Sequence, residues 1–196
     1  MRRHLPAIAL ALVAVVLLVG ALTQRSDPDL LRFEVEGTRA YGYGYTDGRS
    51  AGVVDALLRE HPEVDTLVLV NMPGTADLVA NQRLARRIRA RGLDTELRPD
   101  SFIASGAVSL FIAGVERRAA CGSRVGVHAW SVAQLDAREA LWDNFAGYME
   151  DFLADMGLDP AFYAFTREAA PGDGLHIMSP QELERWGLVT EPMGCS

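Results

Sequence analysis

Three short segments of the chain carry residues that together could perform acyl transfer. Ser105, in IASGAVSLFIAG (103–114), precedes an apolar run with helical spacing, so its hydroxyl would lie at the start of a helix. His128 ends the apolar segment RVGVH (124–128), and NMPGTAD (71–77) is a turn whose backbone N–H groups could face a substrate oxygen. A serine nucleophile, a histidine base and backbone donors for an oxyanion are the groups that acyl transfer requires.

Each of these signals also has a structural interpretation. A serine at the start of a helix commonly caps that helix, because its side-chain oxygen accepts a hydrogen bond from an unpaired backbone N–H. A histidine at the end of a strand commonly has a structural role. The alternatives at Ser105 are therefore a nucleophile and a helix cap, and the combination with His128 and the 71–77 turn favours the nucleophile.

Alternating strands and helices would position these residues. Periodicity and turn signals predict strand structure in 31–50 up to the turn Asp47-Gly48, buried strands in 66–74, 93–97 and 123–130, and helices in 50–65 (ending at His61-Pro62), 76–91, 105–115, 135–160 and 178–189. This alternation implies right-handed crossovers and a mostly parallel sheet, that is, an α/β fold. Ligands collect beyond the carboxyl ends of such strands, where Ser105, after the strand LDTEL (93–97), and His128 are expected.

The order of these motifs resembles the Clp/crotonase superfamily. The string from VLVNMPG to VGVHAW (68–130), followed by IMSPQELERWGLV (177–189), is similar to exported proteins related to the Clp protease proteolytic subunit. The resemblance covers residues 33–190. It implies that residues 33–196 form one Clp/crotonase-like domain with a mostly parallel sheet and crossover helices.

The resemblance also implies a role for each motif residue. Ala104-Ser105-Gly106, before LFIAG (110–114), stands where the family has its nucleophile, and His128 stands where the family has its base. Ser105 would then attack the substrate, and His128 would take its proton. The amides of Gly74 or Thr75, together with that of Gly106, would hold the oxyanion.

Two positions of the family pattern differ or lack a clear counterpart. Thr75 replaces the second glycine of the family's Asn-Ser-Pro-Gly-Gly turn, and a β-branched residue would be strained there if its φ were positive. The acid that orients the histidine is expected shortly before MSPQELERWGL. Asp173 is the candidate and Glu168 the next, although a Pro-Gly-Asp-Gly turn also explains Asp173 without catalysis. His176 is interpreted as an exposed loop histidine.

Charge and cysteine content narrow the functional class. The 196 residues include 19 Lys and Arg against 26 Asp and Glu, a formal net charge of −7, which argues against nucleic acid as a partner. The Arg-rich stretch RLARRIRARG (83–92) is expected to be a solvated helix face, with an anionic binding patch as the alternative. Cys121 and Cys195 are too few for a metal site and are predicted to form a disulfide, with two free thiols as the alternative.

The N-terminus has the pattern of an export segment. Two arginines precede an apolar run over 5–22, so residues 1–25 are predicted to be a cleaved signal peptide or an uncleaved anchor, followed by a linker at 26–32. Either form would place residues 27–196 on the non-cytoplasmic side of the inner membrane, in the periplasm or beyond it.

The leading functional hypothesis is an exported serine peptidase that needs no metal, cofactor or ATP and acts on short or unfolded peptides. No segment resembles a phosphate-binding loop, which argues against ATP dependence. A catalytically inactive binding or scaffold protein with the same fold is the alternative, and a coenzyme A enzyme is a third reading that export disfavours. The apolar stripe in 135–160 is interpreted as part of the core or of a subunit interface. A homo-oligomer is therefore one of the possible states of the protein.

Overall fold

The computed structural model describes residues 29–128, 139–170 and 174–195, and only the backbone of 139–144. The helices in these ranges are α1 (Ser50–Glu60), α2 (Leu78–Ala90), α3 (Gly106–Phe111), α4 (Glu139–Asp155), α5 (Ala161–Ala169) and α6 (Pro180–Arg185). The strands are β1 (Arg32–Glu36), β2 (Arg39–Tyr43), β3 (Thr66–Met72), β4 (Asp94–Leu97), β5 (Phe102–Ala104), β6 (Arg117–Ala119), β7 (Arg124–Val127) and β8 (His176–Ile177).

The strands form a single eight-stranded sheet that branches at β3. Its main path is β1-β2-β3-β5-β7-β8, and β4 and β6 form a side branch from β3. The β1–β2 and β7–β8 pairs are antiparallel and the other pairs are parallel, which confirms the predicted mostly parallel sheet. The beginning of β3 pairs with β4, whereas Asn71 and Met72 pair with β5. The carboxyl ends of β3, β5 and β7 therefore lie side by side.

The elements around this edge are buried as their sequences predict. Every residue of β3 except Asn71 is buried, as expected of a continuous apolar run in the middle of a parallel sheet. All six residues of α3 are also buried, which suits a sequence of small and apolar residues. α2 places Leu84, Ala85 and Ile88 in the core and its arginines on the other side. The carboxyl ends of β3, β5 and β7 are therefore supported by a densely packed core.

Arg83 and Arg87 of α2 are exposed, as predicted for a solvated helix face, whereas Arg86 and Arg89 are half-buried. The Arg86 guanidinium lies 2.7 Å from Asp155 at the end of α4, and that of Arg87 lies 3.0 Å from Asp55 on α1. Arg89 donates to two backbone carbonyls. These contacts join α2 to its neighbouring helices, and an anionic ligand would have to compete with them.

Two short features explain where the predicted pattern and the structure differ. Gly37, at a φ of +58°, reverses the chain, so the 31–50 segment contains two antiparallel strands in place of one alternating region. The strand that leads into Ser105 is β5, three residues long, whereas β4 (LDTEL) belongs to the side branch. The prediction that LDTEL positions Ser105 is therefore wrong. β5 is too short to show a strand period.

The helix boundaries differ less. α3 ends at Phe111, short of the predicted 115, because Ile112 and Ala113 form a turn before β6. α4 is described from residue 139, so the predicted start at 135 lies outside the described residues. α5 is absent from the predicted pattern. α6 has the predicted cap at Ser179, whose N–H in turn donates a hydrogen bond to the Glu182 carboxylate.

The C-terminal segment is held to the sheet by a disulfide and a buried arginine. Cys121 and Cys195 are bonded, with Cα atoms 5.6 Å apart, which confirms the predicted disulfide. Arg117 on β6 is buried and donates to the carbonyl oxygens of Leu188 and Gly187, each at 3.0 Å. Burial lowers the pKa of the Arg117 guanidinium. Both contacts tie the chain after α6 to the β6–β7 region.

Across the described ranges, every helix is too short or too polar to cross a bilayer. The predicted signal or anchor at 1–25, including the apolar run at 5–22, lies outside the described residues.

Candidate active site

Ser105 occupies a sharp turn between β5 and α3. Its N–H donates to the Gly126 carbonyl at 3.0 Å and continues the β5–β7 ladder, whereas its carbonyl accepts from the Val108 N–H at 3.0 Å and begins the helix. The chain therefore changes from sheet to helix within one residue. Ser105 has φ 55° and ψ −126°, and within the described ranges it is the one non-glycine residue with a positive φ. Such a conformation costs a non-glycine residue about 1–3 kcal/mol.

The Ser105 side chain does not cap α3, although it stands at the capping position. Its hydroxyl makes no hydrogen bond to a backbone N–H of the helix. The strain at Ser105 is therefore not compensated by a cap. In α/β-hydrolases, strained strand-to-helix turns of this kind expose a serine hydroxyl beyond the edge of the sheet.

His128 follows β7, the strand next to β5. The pairing of Ala104 with Gly126 sets the ends of the two strands at the same level. Ser105 and His128 are both half-buried, and both line one cavity. No hydrogen bond joins the Ser105 hydroxyl to another described residue. In ligand-free enzymes, catalytic hydrogen bonds are often long or poorly aligned and tighten when substrate binds.

The cavity beside these two residues is narrow and mostly apolar. The space open to the centre of a water-sized molecule is about 30 Å³. Its walls come from α3, α4 and α5 and include Ile112, Met149, Phe152 and Tyr163, all of which are buried. Burial raises the pKa of the Tyr163 phenol.

The turn after β3 passes directly beside the Ser105 hydroxyl. A Cβ atom placed on Gly74 would lie 3.5 Å from the Ser105 Cβ and 3.8 Å from its Oγ. Gly74 has a φ of +156° and lies next to the Tyr45 ring as well. The backbone of the 73–75 turn is thus the nearest polar wall of the site on this side.

The Thr75 N–H is directed to the Ser105 side of this turn. The Thr46 N–H donates to the Gly74 carbonyl at 3.2 Å, and the Ala76 N–H donates to the Thr46 carbonyl at 2.8 Å. Thr46 thus forms a parallel bridge with Thr75, the residue between Gly74 and Ala76. In such a bridge the Thr75 N–H points away from Thr46. Thr46 follows β2 and Ser105 follows β5, and these strands flank β3 on opposite sides. Thr75 N–H and the first amide of α3, that of Gly106, are therefore the available donors.

Thr75 fits this turn without the strain expected for a positive φ, since it is not among the described residues with one. Its hydroxyl lies 3.1 Å from the Thr46 carbonyl and accepts from the Asp77 N–H at 3.1 Å, so it is turned away from Ser105. Its methyl group fills the space over Gly106, where a Cβ atom would overlap it. Threonine at 75 and glycine at 106 are thus adapted to each other.

A buried pair of polar side chains supports the Ser105 turn from below. The Thr46 hydroxyl lies 2.6 Å from Asn81 Oδ1, and Asn81 Nδ2 donates to the Gly106 carbonyl at 2.8 Å. Both side chains are fully buried. Sequence reasoning missed this contact. Its signal was a polar residue, Asn81, in line with the apolar positions Leu84 and Ile88 of α2.

Of the two predicted acids, the structure describes only Glu168. Asp173, the main candidate, lies outside the described residues. Glu168 is exposed on α5 and makes no hydrogen bond or ion pair to the part of the chain that the structure describes. The role of Asp173 stays a prediction.

His176 is wrongly interpreted as a loop histidine. It lies on β8, in register with Val127 of β7, and its side chain is 30% exposed. Its Nε2 lies 3.0 Å and 3.1 Å from the two carboxylate oxygens of Glu182. Burial raises the pKa of Glu182, but hydrogen bonds from Ser179 and His176 outweigh it, so the pKa of this carboxyl is lowered. His176 therefore belongs to the α6 cap.

Comparison with known proteins identifies the fold. The chain has the Clp/crotonase fold, as its motifs suggest. No protein-family model and no curated protein matches it.

Among solved structures, the chain is similar to a mutant of ClpP1 from Listeria monocytogenes, with a TM-score of 0.58 and 13% identity over 79% of this chain and 90% of that one. It is also similar to two mutants of the 1510-N membrane-bound stomatin-specific protease, both with a TM-score of 0.54. One is in complex with a substrate peptide and is 14% identical over 78% of this chain and 71% of that one. The other is 13% identical, over 78% and 75%. Likeness at this identity establishes the fold alone.

Proposed function

We propose that the chain is an exported serine peptidase that cleaves short or unfolded peptides without ATP or a metal. The observation that carries this proposal is the Ser105 turn: a strained serine that caps nothing, beside His128 and beside the backbone donors of the 73–75 turn. A serine that served only to begin a helix would need neither the strain nor these neighbours. The similarity to peptidase folds supports the choice of substrate class.

In the first half of the reaction, the Ser105 Oγ bonds to the carbonyl carbon of the substrate while its proton passes to His128. The carbonyl oxygen becomes an oxyanion and accepts hydrogen bonds from the N–H groups of Gly106 and Thr75. Collapse of this intermediate breaks the C–N bond. His128 returns the proton to the leaving amine, and an acyl group remains on Ser105.

In the second half, water replaces the amine. His128 takes a proton from the water as its oxygen attacks the acyl carbon, and the same N–H groups hold the second oxyanion. The bond to Ser105 Oγ then breaks, Ser105 recovers its proton from His128, and the carboxylic acid product leaves. Asp173 is the proposed third member, holding the His128 ring in the tautomer this cycle needs.

The compartment and the partners are part of the proposal. Residues 1–25 would deliver or anchor the protein at the inner membrane, with the domain outside the cytoplasm, where ATP is not normally available. Substrates would therefore reach Ser105 already unfolded or short. The disulfide between Cys121 and Cys195 suits an oxidising compartment.

The test is reaction of the purified full chain with a small fluorophosphonate, which labels activated serines. We expect one label, located at Ser105 by peptide mass spectrometry and lost in Ser105→Ala. Ser179→Ala is the matched control, since it removes another serine that begins a helix. A folded chain that takes no label at Ser105 would contradict the proposal and favour the binding or scaffold protein.

A further inference from the structure

We propose that Met149, held in place by Gln82, makes the cavity beside Ser105 a subsite for a small side chain, that of alanine or serine, on the acyl side of the cleaved bond. This inference rests on the proposed function and adds to it the class of substrate residue. Met149 is thereby a specificity-determining residue and Gln82 a positioning residue.

The volume of the cavity sets the size of the side chain. A space of about 30 Å³ exceeds the roughly 10–15 Å³ that one water molecule needs. It is about five times smaller than a 150 Å³ apolar cavity that accepts benzene. The space beside Ser105 therefore matches a methyl or hydroxymethyl group, and a leucine or phenylalanine side chain would need more room than it provides.

The walls leave little room for enlargement. Phe152 and Ile112 are 0% and 2% exposed, and Met149 is 5% exposed. Close-packed side chains of this kind move only at the expense of their other contacts. Opening the cavity for a larger side chain would displace core residues of α3 and α4.

Met149 is the most adaptable wall by chemistry, because a methionine side chain has three rotatable bonds. Here it is restrained. The fully buried Gln82 on α2 donates from Nε2 to the Met149 sulfur at 2.9 Å. The Gln82 carbonyl oxygen, Oε1, is buried without a hydrogen-bond partner, an arrangement that is costly to stability. A leucine at 82 would avoid that cost, so the glutamine is better explained by its hold on Met149.

The remaining polar atoms of the cavity suit a small hydroxyl-bearing side chain. Ser109, one helical turn after Ser105, is among the residues that line the cavity. The Thr166 hydroxyl donates to the Tyr163 carbonyl at 2.8 Å, which leaves its oxygen able to accept another hydrogen bond. A substrate serine could therefore donate to Thr166, and an alanine would leave these groups as they are.

The test compares aminoalkyl phosphonates whose side chain is that of alanine, valine, leucine or phenylalanine, with a small fluorophosphonate as the reference for serine reactivity. With the full chain, we expect the alanine compound to label Ser105 at least about tenfold faster than the leucine compound, since a misfit of a single methylene already changes such rates by roughly 10–200-fold. Met149→Ala should raise the leucine-to-alanine rate ratio by about tenfold or more. Gln82→Leu should raise the same ratio by a smaller factor.

Met156→Ala is the matched control. Met156 is a buried methionine directly after α4, and it does not line the cavity. It should leave the leucine-to-alanine ratio unchanged even if it lowers stability. A wild-type preference for leucine or phenylalanine, or a ratio that Met149→Ala does not move, overturns the inference while labelling by the fluorophosphonate leaves the proposed function standing. Absence of fluorophosphonate labelling overturns both.

Discussion

Ser105 and Ser179 are the same residue at the same position relative to a helix, and they do different things. The Ser179 hydroxyl accepts from the Glu182 N–H at 3.2 Å, and the Glu182 carboxylate accepts from the Ser179 N–H at 2.7 Å. Ser105 makes no corresponding contact with α3. One serine stabilises its helix, and the other presents its hydroxyl to a cavity.

The backbone explains the difference. Ser179 has φ −71° and ψ 159°, the extended conformation from which a cap residue reaches back to the helix amides. Ser105 has φ 55°, which directs its side chain away from those amides and toward Gly74. A helix-start serine is therefore a candidate nucleophile when its backbone prevents it from capping.

Of the substitutions that distinguish the two serines, Ser105→Ala should have the largest effect on activity. Fluorophosphonate labelling and peptide hydrolysis are expected to fall by at least about a thousandfold, because the nucleophile is lost. Stability should change by less than about 1 kcal/mol, measured by urea unfolding, since no cap is removed. His128→Ala should reduce hydrolysis strongly as well, and the double variant should be little worse than either single one. Additive losses would mean that the two residues do not act as a unit.

Removing the disulfide should lower the stability of the protein without affecting the Ser105 site. Cys121→Ser with Cys195→Ser opens a link between residues 74 apart and should lower the free energy of unfolding by about 2–4 kcal/mol. The bond lies on the side of α6 and Ser179, so Ser105 should still take the fluorophosphonate in the folded variant. Thermal unfolding and labelling on the same sample measure both effects. Loss of labelling in a folded variant would show that the site depends on the C-terminal segment.

Ser179→Ala should show the reverse of Ser105→Ala. It removes one cap hydrogen bond and should lower stability by about 1 kcal/mol, within the usual range of 0.5–2 kcal/mol. The rate of Ser105 labelling should stay unchanged. A measurable fall in that rate, with the protein folded, would indicate that α6 contributes to the site.

Part of this contrast is readable in the sequence. Ser179 is followed by Pro180 and, three residues after the cap, by Glu182, which is a capping signature. Ser105 is followed by Val108 at the equivalent position and has no such partner. The backbone conformation of Ser105 is not readable, because it results from the pairing of β5 with β7.

The same limit applies to the fold. β3 and α2 are long enough for their periodicity to identify them, so the parallel sheet and the sheet edge follow from the sequence. β5, β6 and β8 have two or three residues each and exist because neighbouring strands pair with them. The contact of Asn81 with the Ser105 turn and that of Gln82 with Met149 likewise depend on how separate elements pack.

Replacing Ser105 by glycine should raise stability slightly, whereas removal of the disulfide or of the Ser179 cap should lower it. Glycine adopts a φ of 55° without the strain of about 1–3 kcal/mol that a serine bears, but it loses up to about 1 kcal/mol through the greater freedom of the unfolded chain. We therefore expect a net gain of roughly 0–2 kcal/mol in the free energy of unfolding, together with complete loss of labelling. Ser179→Gly is the control, since its residue has a negative φ and no strain to release. If Ser105→Gly is less stable than Ser105→Ala, then Ser105 is not strained, and its backbone no longer distinguishes it from an ordinary cap.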